Sequence, residues 1–220
     1  MSTLRTLLRW AVLTSLLSAV LFMAAGSTQI PSLRDYVAVL SALLLFTMLS
    51  VHPELARERA HPAGSDIDPP SRNASGFLFL VTVIFAALDV GRLHQSDGVP
   101  PSWHLPALLV LAAALILQAA AMIVNPFFSS ALRIQTERGH SVITCGPYRF
   151  LRHPGYLAML IAVPASALAV GSWLALIPAF AFSAAIVRRT ALEDRYLMQE
   201  LPGYLGYTES VRYRLFPGIW

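Results

Sequence analysis

The amino-acid sequence predicts an all-α fold: a polytopic membrane helical bundle of about six membrane helices, the last two a tight hairpin, followed by a cytoplasmic C-terminal helix and tail. Three observations predict it. Only 13% of the 220 residues are charged, against about 25% in soluble domains, too few to build a water-facing surface. The hydrophobic share is 56% and the mean hydropathy is +0.60. Apolar segments close to spanning length recur along the chain, separated by polar, proline-containing stretches.

A spanning helix needs ~20 mostly apolar residues to cross the hydrocarbon core. Six segments come near this: 7–25, 36–51, 76–90, 105–124, 156–170 and 173–187. The first follows Arg5 and Arg9 and resembles a leader. Its apolar run is long, however, and the small-residue cleavage pattern around Ala24-Ala25-Gly26 is weak, so it reads as a retained helix. Only Gly171 and Ser172 separate the last two segments, which defines the hairpin. Stretch 52–75 reads as a polar cytoplasmic loop with Pro69-Pro70 and Asn73 as breakers, and 91–104 as an outer loop around Pro100-Pro101. An amphipathic helix is expected from Arg188 to about Glu200, stopped by Pro202-Gly203 and followed by an aromatic tail. The chain thus divides into a membrane part of four spans, 1–124, and a C-terminal region with the hairpin, 125–220.

Charge placement sets the expected orientation. The 16 basic residues are all arginine. With the N-terminus in the cytoplasm and six crossings, only Arg34 and Arg92 fall outside, as cytoplasmic loops retain arginine. Both termini are therefore expected in the cytoplasm. The net charge of +4 fits a membrane surface, and no nucleic-acid partner is expected. Cys145 is the single cysteine and cannot form an internal disulfide. His52, His61, His94 and His104 lie on different loops, so no metal site is expected. Charges inside the spans are almost absent, and the only candidate, Asp89, sits near a span end, which disfavours a transport pathway.

Two stretches carry chemistry. In the first, Gly146-Pro147 sets a turn after the short extended run His140 to Ile143, and Pro154 forces His153 out of helical geometry. Gly155 permits a close approach at a helix start, whose unpaired amides can hold a carboxylate. A lipid-anchoring loop accounts for the same residues equally well. In the second, Arg189 and Glu193 share one helix face. They read either as a surface ion pair worth about 0.3–0.5 kcal/mol, or as one cation and one anion serving two adjacent ligands. Spacing alone does not choose.

The run Gly146-Pro147-Tyr148-Arg149-Phe150-Leu151-Arg152-His153-Pro154-Gly155-Tyr156, taken with Glu193-Asp194 and the tail residues Tyr204, Tyr207, Arg214, Leu215 and Pro217, closely resembles the isoprenylcysteine carboxyl methyltransferase family, which is related to the phospholipid N-methyltransferases. The resemblance covers about residues 125–220; the first hundred residues match only as apolar spans, though Pro53-Glu54-Leu55 and Glu58-Arg59 resemble a loop that such proteins often carry. It implies methyl transfer from S-adenosylmethionine, giving S-adenosylhomocysteine without a metal, at the cytoplasmic face of a bacterial membrane. The implied acceptor is lipidic or small and acidic, a carboxyl group included, so membrane lipid and lipophilic or small-molecule acceptors are the implied partners. It further implies donor contacts from Gln135, His140, Ser141, Val142, Ile143, Tyr148, His153, Pro154, Gly155, Tyr156, Glu193 and Asp194, and an acceptor-side role for Arg189. The chain departs from the family pattern at Asp194, usually Glu, at Ala158, often Gly, and in its Leu-Pro-Gly-Tyr tail; these departures bear on the acceptor. His153 and Tyr156 have no companion visible in the sequence to orient them as a base, which favours donor-binding roles. Two alternatives stand beside this reading: an NADPH-dependent membrane reductase of a lipid or sterol, and a non-enzymatic membrane scaffold or transporter.

Overall fold

The computed structural model describes residues 3–220. Its helices are α1 (Thr3–Ala25), α2 (Pro31–Ser50), α3 (Pro53–Ala60), α4 (Pro69–Leu88), α5 (His104–Val124), α6 (Pro154–Val170), α7 (Leu176–Glu200) and α8 (Tyr204–Ser210). A π turn, Asp89–Leu93, prolongs α4, and short 3-10 turns occupy Pro101–Trp103, Thr136–Arg138 and Gly146–Arg149. Four helical stretches are long and apolar enough to cross a membrane: α1, α2, Pro69–Leu93 and Pro101–Val124. Helix α6 is apolar but shorter, at 17 residues.

Several boundaries differ from those expected. Stretch 52–75 is not one loop, because α3 and the first turns of α4 lie within it. The prolines taken as breakers sit at the first helical positions, where the missing N–H is no loss. His52 Nδ1 caps α3 by accepting from the Glu54 amide, and the Asp68 carboxylate caps α4 by accepting from the Ser71 amide. The hairpin turn is longer than two residues, since α7 begins only at Leu176. The charged helix after Arg188 is not separate: it is the second half of the 25-residue α7. Residues 140–143, expected as a short extended run, form neither helix nor paired strand.

Helix α6 packs along α5, and α7 packs against α4 and α6. Alanines dominate these contacts: Ala114, Ala119, Ala121, Ala158, Ala165, Ala167 and Ala169 are all buried. Where lipid replaces water there is little hydrophobic force between helices, so small residues that admit close backbone approach supply the packing. The outward face is the converse, with Leu4, Leu8, Val12 and Leu16 of α1 each more than half exposed at four-residue spacing.

The two ends of the bundle differ. At one end Asp89, fully buried, accepts from the hydroxyls of Ser96 and Ser172 and from the Gln95 amide, tying the π turn to the α6–α7 connection. Arg92 donates to the carbonyls of Ala24 and Met23 at the end of α1, a favourable place for a cation. His104 bridges Ala169 O at 2.7 Å and Asp35 at 3.0 Å. The other end gathers α3, residues 125–153, the charged half of α7, α8 and the tail.

At the first end, a Cβ on Gly91 would lie 2.1 Å from the Ala25 carbonyl oxygen. Gly91→Ala should therefore lower the melting temperature in detergent by the equivalent of about 1–3 kcal/mol of overpacking. Gly206→Ala, which faces open space on α8, should be neutral or stabilising in the same measurement.

Candidate active site

Helix α5 ends at Asn125, whose side chain fixes the following turn: Oδ1 accepts from the Phe127 amide at 2.9 Å and Nδ2 donates to the Tyr148 hydroxyl at 3.0 Å. Phe127 stacks on the His140 ring, centroids 4.4 Å apart, and carries the Arg138 guanidinium on its ring. Gln135, fully buried, binds this loop together. Its side-chain amide donates to Phe127 O at 2.8 Å, its side-chain oxygen accepts from Arg138, and its backbone amide donates to His140 Nδ1. That last bond requires an unprotonated Nδ1. Burial and the nearby charges of Arg133 and Arg138 push the His140 pKa down to about 4, consistent with a neutral ring.

Gly146 adopts φ +56°, and the turn from Gly146 to Arg149 buries Tyr148. The Tyr207 hydroxyl donates to the Tyr148 carbonyl at 2.6 Å. Burial raises the pKa of the Tyr148 phenol, so it stays neutral. Beyond it, the amides of Arg152 and His153 donate to the carbonyls of Tyr213 and Arg214, each at 3.0 Å, so the tail runs beside this segment. Pro154 opens α6. A Cβ on Gly155 would come within 2.3 Å of the Phe128 ring, so only glycine admits that ring here. The helix-start amides are less available than expected, because the Tyr156 amide donates to the His153 carbonyl at 3.1 Å.

Helix α7 supplies the charged residues. The expected Arg189–Glu193 pair is not in direct contact, because the Tyr156 hydroxyl lies between the two: it accepts from Arg189 Nε at 3.0 Å and donates to Glu193 Oε2. Arg189 also donates to the carbonyls of Asp68 and Ser130. Asp194 points elsewhere. Fully buried, it accepts two bonds from Arg152, at 2.9 and 3.1 Å, one from Arg214 at 2.7 Å and one from the Tyr204 hydroxyl at 3.0 Å, and it lies 3.1 Å from His153 Nε2. Burial opposes this carboxylate's charge, but His153, Arg214 and Arg152 outweigh it and hold the pKa well below the usual carboxylate range. His153 and Tyr156 do have orienting companions, in Asp194 and Glu193. The sequence hid them because they lie a whole helix away in the chain.

A cavity of about 260 Å³ lies among these elements. Of the sequence-predicted site residues, His140, Ser141, Val142, Ile143, Tyr148, His153, Gly155, Tyr156, Arg189 and Glu193 line it. Gln135, Pro154 and Asp194 do not; they stand behind its wall and hold it in place. Arg152, Tyr204, Tyr207, Phe128 and Arg59 also line it. Arg152, Tyr204 and Tyr207 lay in the motif and tail without an assigned role. Arg59 lay in a stretch, with Glu58, that resembles a loop of the family but had no assigned role, and Phe128 gave no signal in the sequence. Among the described residues, no group of three or more His, Cys, Asp or Glu side chains is placed to hold a metal ion.

Residues 106–199 match the model of the isoprenylcysteine carboxyl methyltransferase (ICMT) family. The chain is 32% identical over 162 residues to the cobalt-zinc-cadmium resistance protein CzcN of Cupriavidus metallidurans, covering 67% of each chain. It is 30% identical over 112 residues to protein-S-isoprenylcysteine O-methyltransferase A of Arabidopsis thaliana, covering 47% of this chain and 54% of that protein. The matched stretch runs from α5 into α7 and so takes in most of the cavity wall. The chain belongs to the isoprenylcysteine carboxyl methyltransferase family.

Proposed function

We propose that this integral membrane protein transfers a methyl group from S-adenosylmethionine to a lipidic or small acidic acceptor, at the arginine-rich end of the bundle, and that this end faces the cytoplasm. One observation supports the reading above all: the 141–143 run, Tyr148, His153, Tyr156, Arg189 and Glu193, from distant parts of the chain, line a single cavity. The arginine-rich end has the charge expected of a cytoplasmic face.

The residues fit the donor. Glu193 uses Oε2 for the Tyr156 hydroxyl, and its Oε1 has no partner among the described residues, so it can receive the donor's ammonium group. Residues 141–143 make no backbone hydrogen bonds among the described residues and line the cavity, leaving peptide groups available to the nucleoside. When bound, the donor supplies an electrophilic methyl on a sulfonium; the S–CH3 bond breaks as the acceptor's lone pair forms the new bond, leaving a neutral thioether. A carboxylate acceptor needs no base for this. The remaining task is alignment, worth about 7–11 kcal/mol in favourable cases. Arg189 and Glu193 fix the Tyr156 hydroxyl from both sides, and Asp194 fixes the His153 ring. Arg189 keeps two of its five N–H groups for the acceptor side.

Three outcomes test this. Glu193→Ala should weaken S-adenosylmethionine binding about tenfold or more in calorimetry, the loss of a charge-assisted hydrogen bond of about 1.5–3 kcal/mol, in protein that still folds but melts lower because the buried Tyr156 hydroxyl loses its acceptor; undiminished binding in folded protein would sink the assignment. Asp194→Asn should instead cost about 3–5 kcal/mol of stability, since it leaves buried arginines unpaired, and donor binding should fall with it. Thirdly, His140 binds its proton less readily folded, at about 4, than unfolded, at about 6.5. Its contribution to stability is thus complete above about pH 6.5 and declines as pH falls towards 4. Donor affinity should decline over the same window, and His140→Gln should flatten that part of the profile.

A further inference from the structure

The segment before α6 faces two ways. Tyr148, Arg152, His153 and Tyr156 line the polar cavity. Arg149 and Phe150, which lie among them in the chain, are exposed instead, Phe150 at 73%. A lipid-anchoring loop accounted for this stretch as well as a site did, and the outward pair keeps that character. The tail repeats it. The amides of Arg152 and His153 donate to the carbonyls of Tyr213 and Arg214, which brings the tail alongside. There Arg212, Phe216 and Ile219 are exposed, Ile219 at 82%.

What lies behind this surface sets its depth. Leu151 and Leu215 are buried in one cluster, on which Leu117, Ile161 and Trp220 pack. Leu117 lies about 10 Å along α5 from the helix end at Val124, at 1.5 Å per residue, and Pro101–Val124 is one of the spanning stretches. The tail therefore rests against the membrane-embedded part of the bundle, level with headgroups and upper acyl chains. At that level apolar side chains gain by entering the acyl boundary and guanidiniums meet phosphates. Among the described residues the guanidinium of neither Arg149 nor Arg212 has a hydrogen-bond or ion-pair partner. The other two arginines of the same segments, Arg152 and Arg214, are both bound to Asp194.

We propose that Arg149 and Arg212, with Phe150, Phe216 and Ile219, form a docking surface for anionic phospholipid: the guanidiniums take the phosphate-bearing headgroups and the apolar side chains enter the acyl boundary beside them. Lipid bound on both segments holds the stretch before α6 and the tail together. Arg152 and Arg214 carry that restraint to Asp194, so the bilayer braces one wall of the polar cavity. The contact is independent of what the cavity binds.

The test uses the full chain in phosphatidylcholine nanodiscs with a minor share of photoactivatable lipid, its diazirine high on the acyl chain, carried on either phosphatidylglycerol or phosphatidylcholine. Peptide mapping after illumination should find Phe150 and residues 213–219 labelled about twentyfold more by the phosphatidylglycerol probe, from about fivefold for each arginine. Arg149→Gln combined with Arg212→Gln should bring the two probes level without changing the melting temperature, since both side chains are exposed. The paired lysine substitutions should keep most of the preference. Arg5→Gln combined with Arg57→Gln, which removes the same charge from other exposed positions, should leave it intact. Hydrogen exchange reads the brace: the Arg152 and His153 amides should exchange severalfold more slowly when phosphatidylglycerol is added to the discs, and the Arg149 and Arg212 glutamine pair should erase that difference. Equal labelling by the two probes, a preference that survives this pair, or one that the Arg5 and Arg57 pair also abolishes would overturn the proposal. So would equal slowing of exchange by free glycerol phosphate in phosphatidylcholine discs, which would make the surface an anion site without lipid. Exchange that does not respond to phosphatidylglycerol would overturn the brace.

Discussion

A carboxylate without access to solvent sits at the centre of the polar end of this molecule. Left alone in such a place, Asp194 would carry a desolvation penalty of several kcal/mol. It is tolerable only because Arg152, Arg214, Tyr204 and His153 surround both of its oxygens. The dependence is mutual. Arg152 and His153 come from the segment before α6, Tyr204 from α8 and Arg214 from the tail. Arg152 extends the network by donating to the carbonyls of Val211 and Arg212. One side chain of α7 thereby fixes three otherwise separate stretches, and these stretches form one wall of the candidate active site.

Helix α7 can serve as this anchor because it is continuous from apolar to charged. Its first half packs Ala179, Phe182 and Ile186 against α6, and its last turns carry charges in several directions. Arg188 reaches Asp68, the cap of α4. Arg189 and Glu193, one turn apart, face the cavity and hold Tyr156 between them. Asp194, the next residue round, faces the tail. At 3.6 residues per turn, adjacent residues diverge by about 100°, so a short charged stretch meets three partners. A break after the apolar half would have released that geometry from the membrane-embedded frame.

Apolar runs and arginine placement made the helical bundle and its polar end legible in the sequence, because burial in lipid and retention of charge are properties of composition. The motif around His153 and the acids of α7 located the cavity. What remained hidden depended on contacts between distant residues. Pro69 and Pro70 read as breakers, yet they open a helix because Asp68 precedes them as a cap. Arg189 and Glu193 had the spacing of an ion pair, but a phenol from α6 enters between them, and nothing in α7 announces it. Gln135 and Asp194 were assigned to the donor on family likeness, while their hydrogen bonds turn inward. Phe128 was unreadable, since its place depends on the missing side chain of Gly155.

The contact between Phe128 and Gly155 shows how the two kinds of surface are brought together. Phe128 lies against the helix start of α6 on one side and under the Arg59 guanidinium on the other, 5.4 Å from ring centroid to cation. It also packs on the small cluster of Val51, Leu55 and Met122, where α3 meets α5. An aromatic ring can serve both neighbours, as its edge fits an apolar gap while its face accepts a cation. A larger residue at 155 would push the ring towards α3 and shift Arg59 with it. The absence of a Cβ at position 155 therefore lets one ring bridge the start of α6 and the Arg59 guanidinium in the wall of the polar cavity.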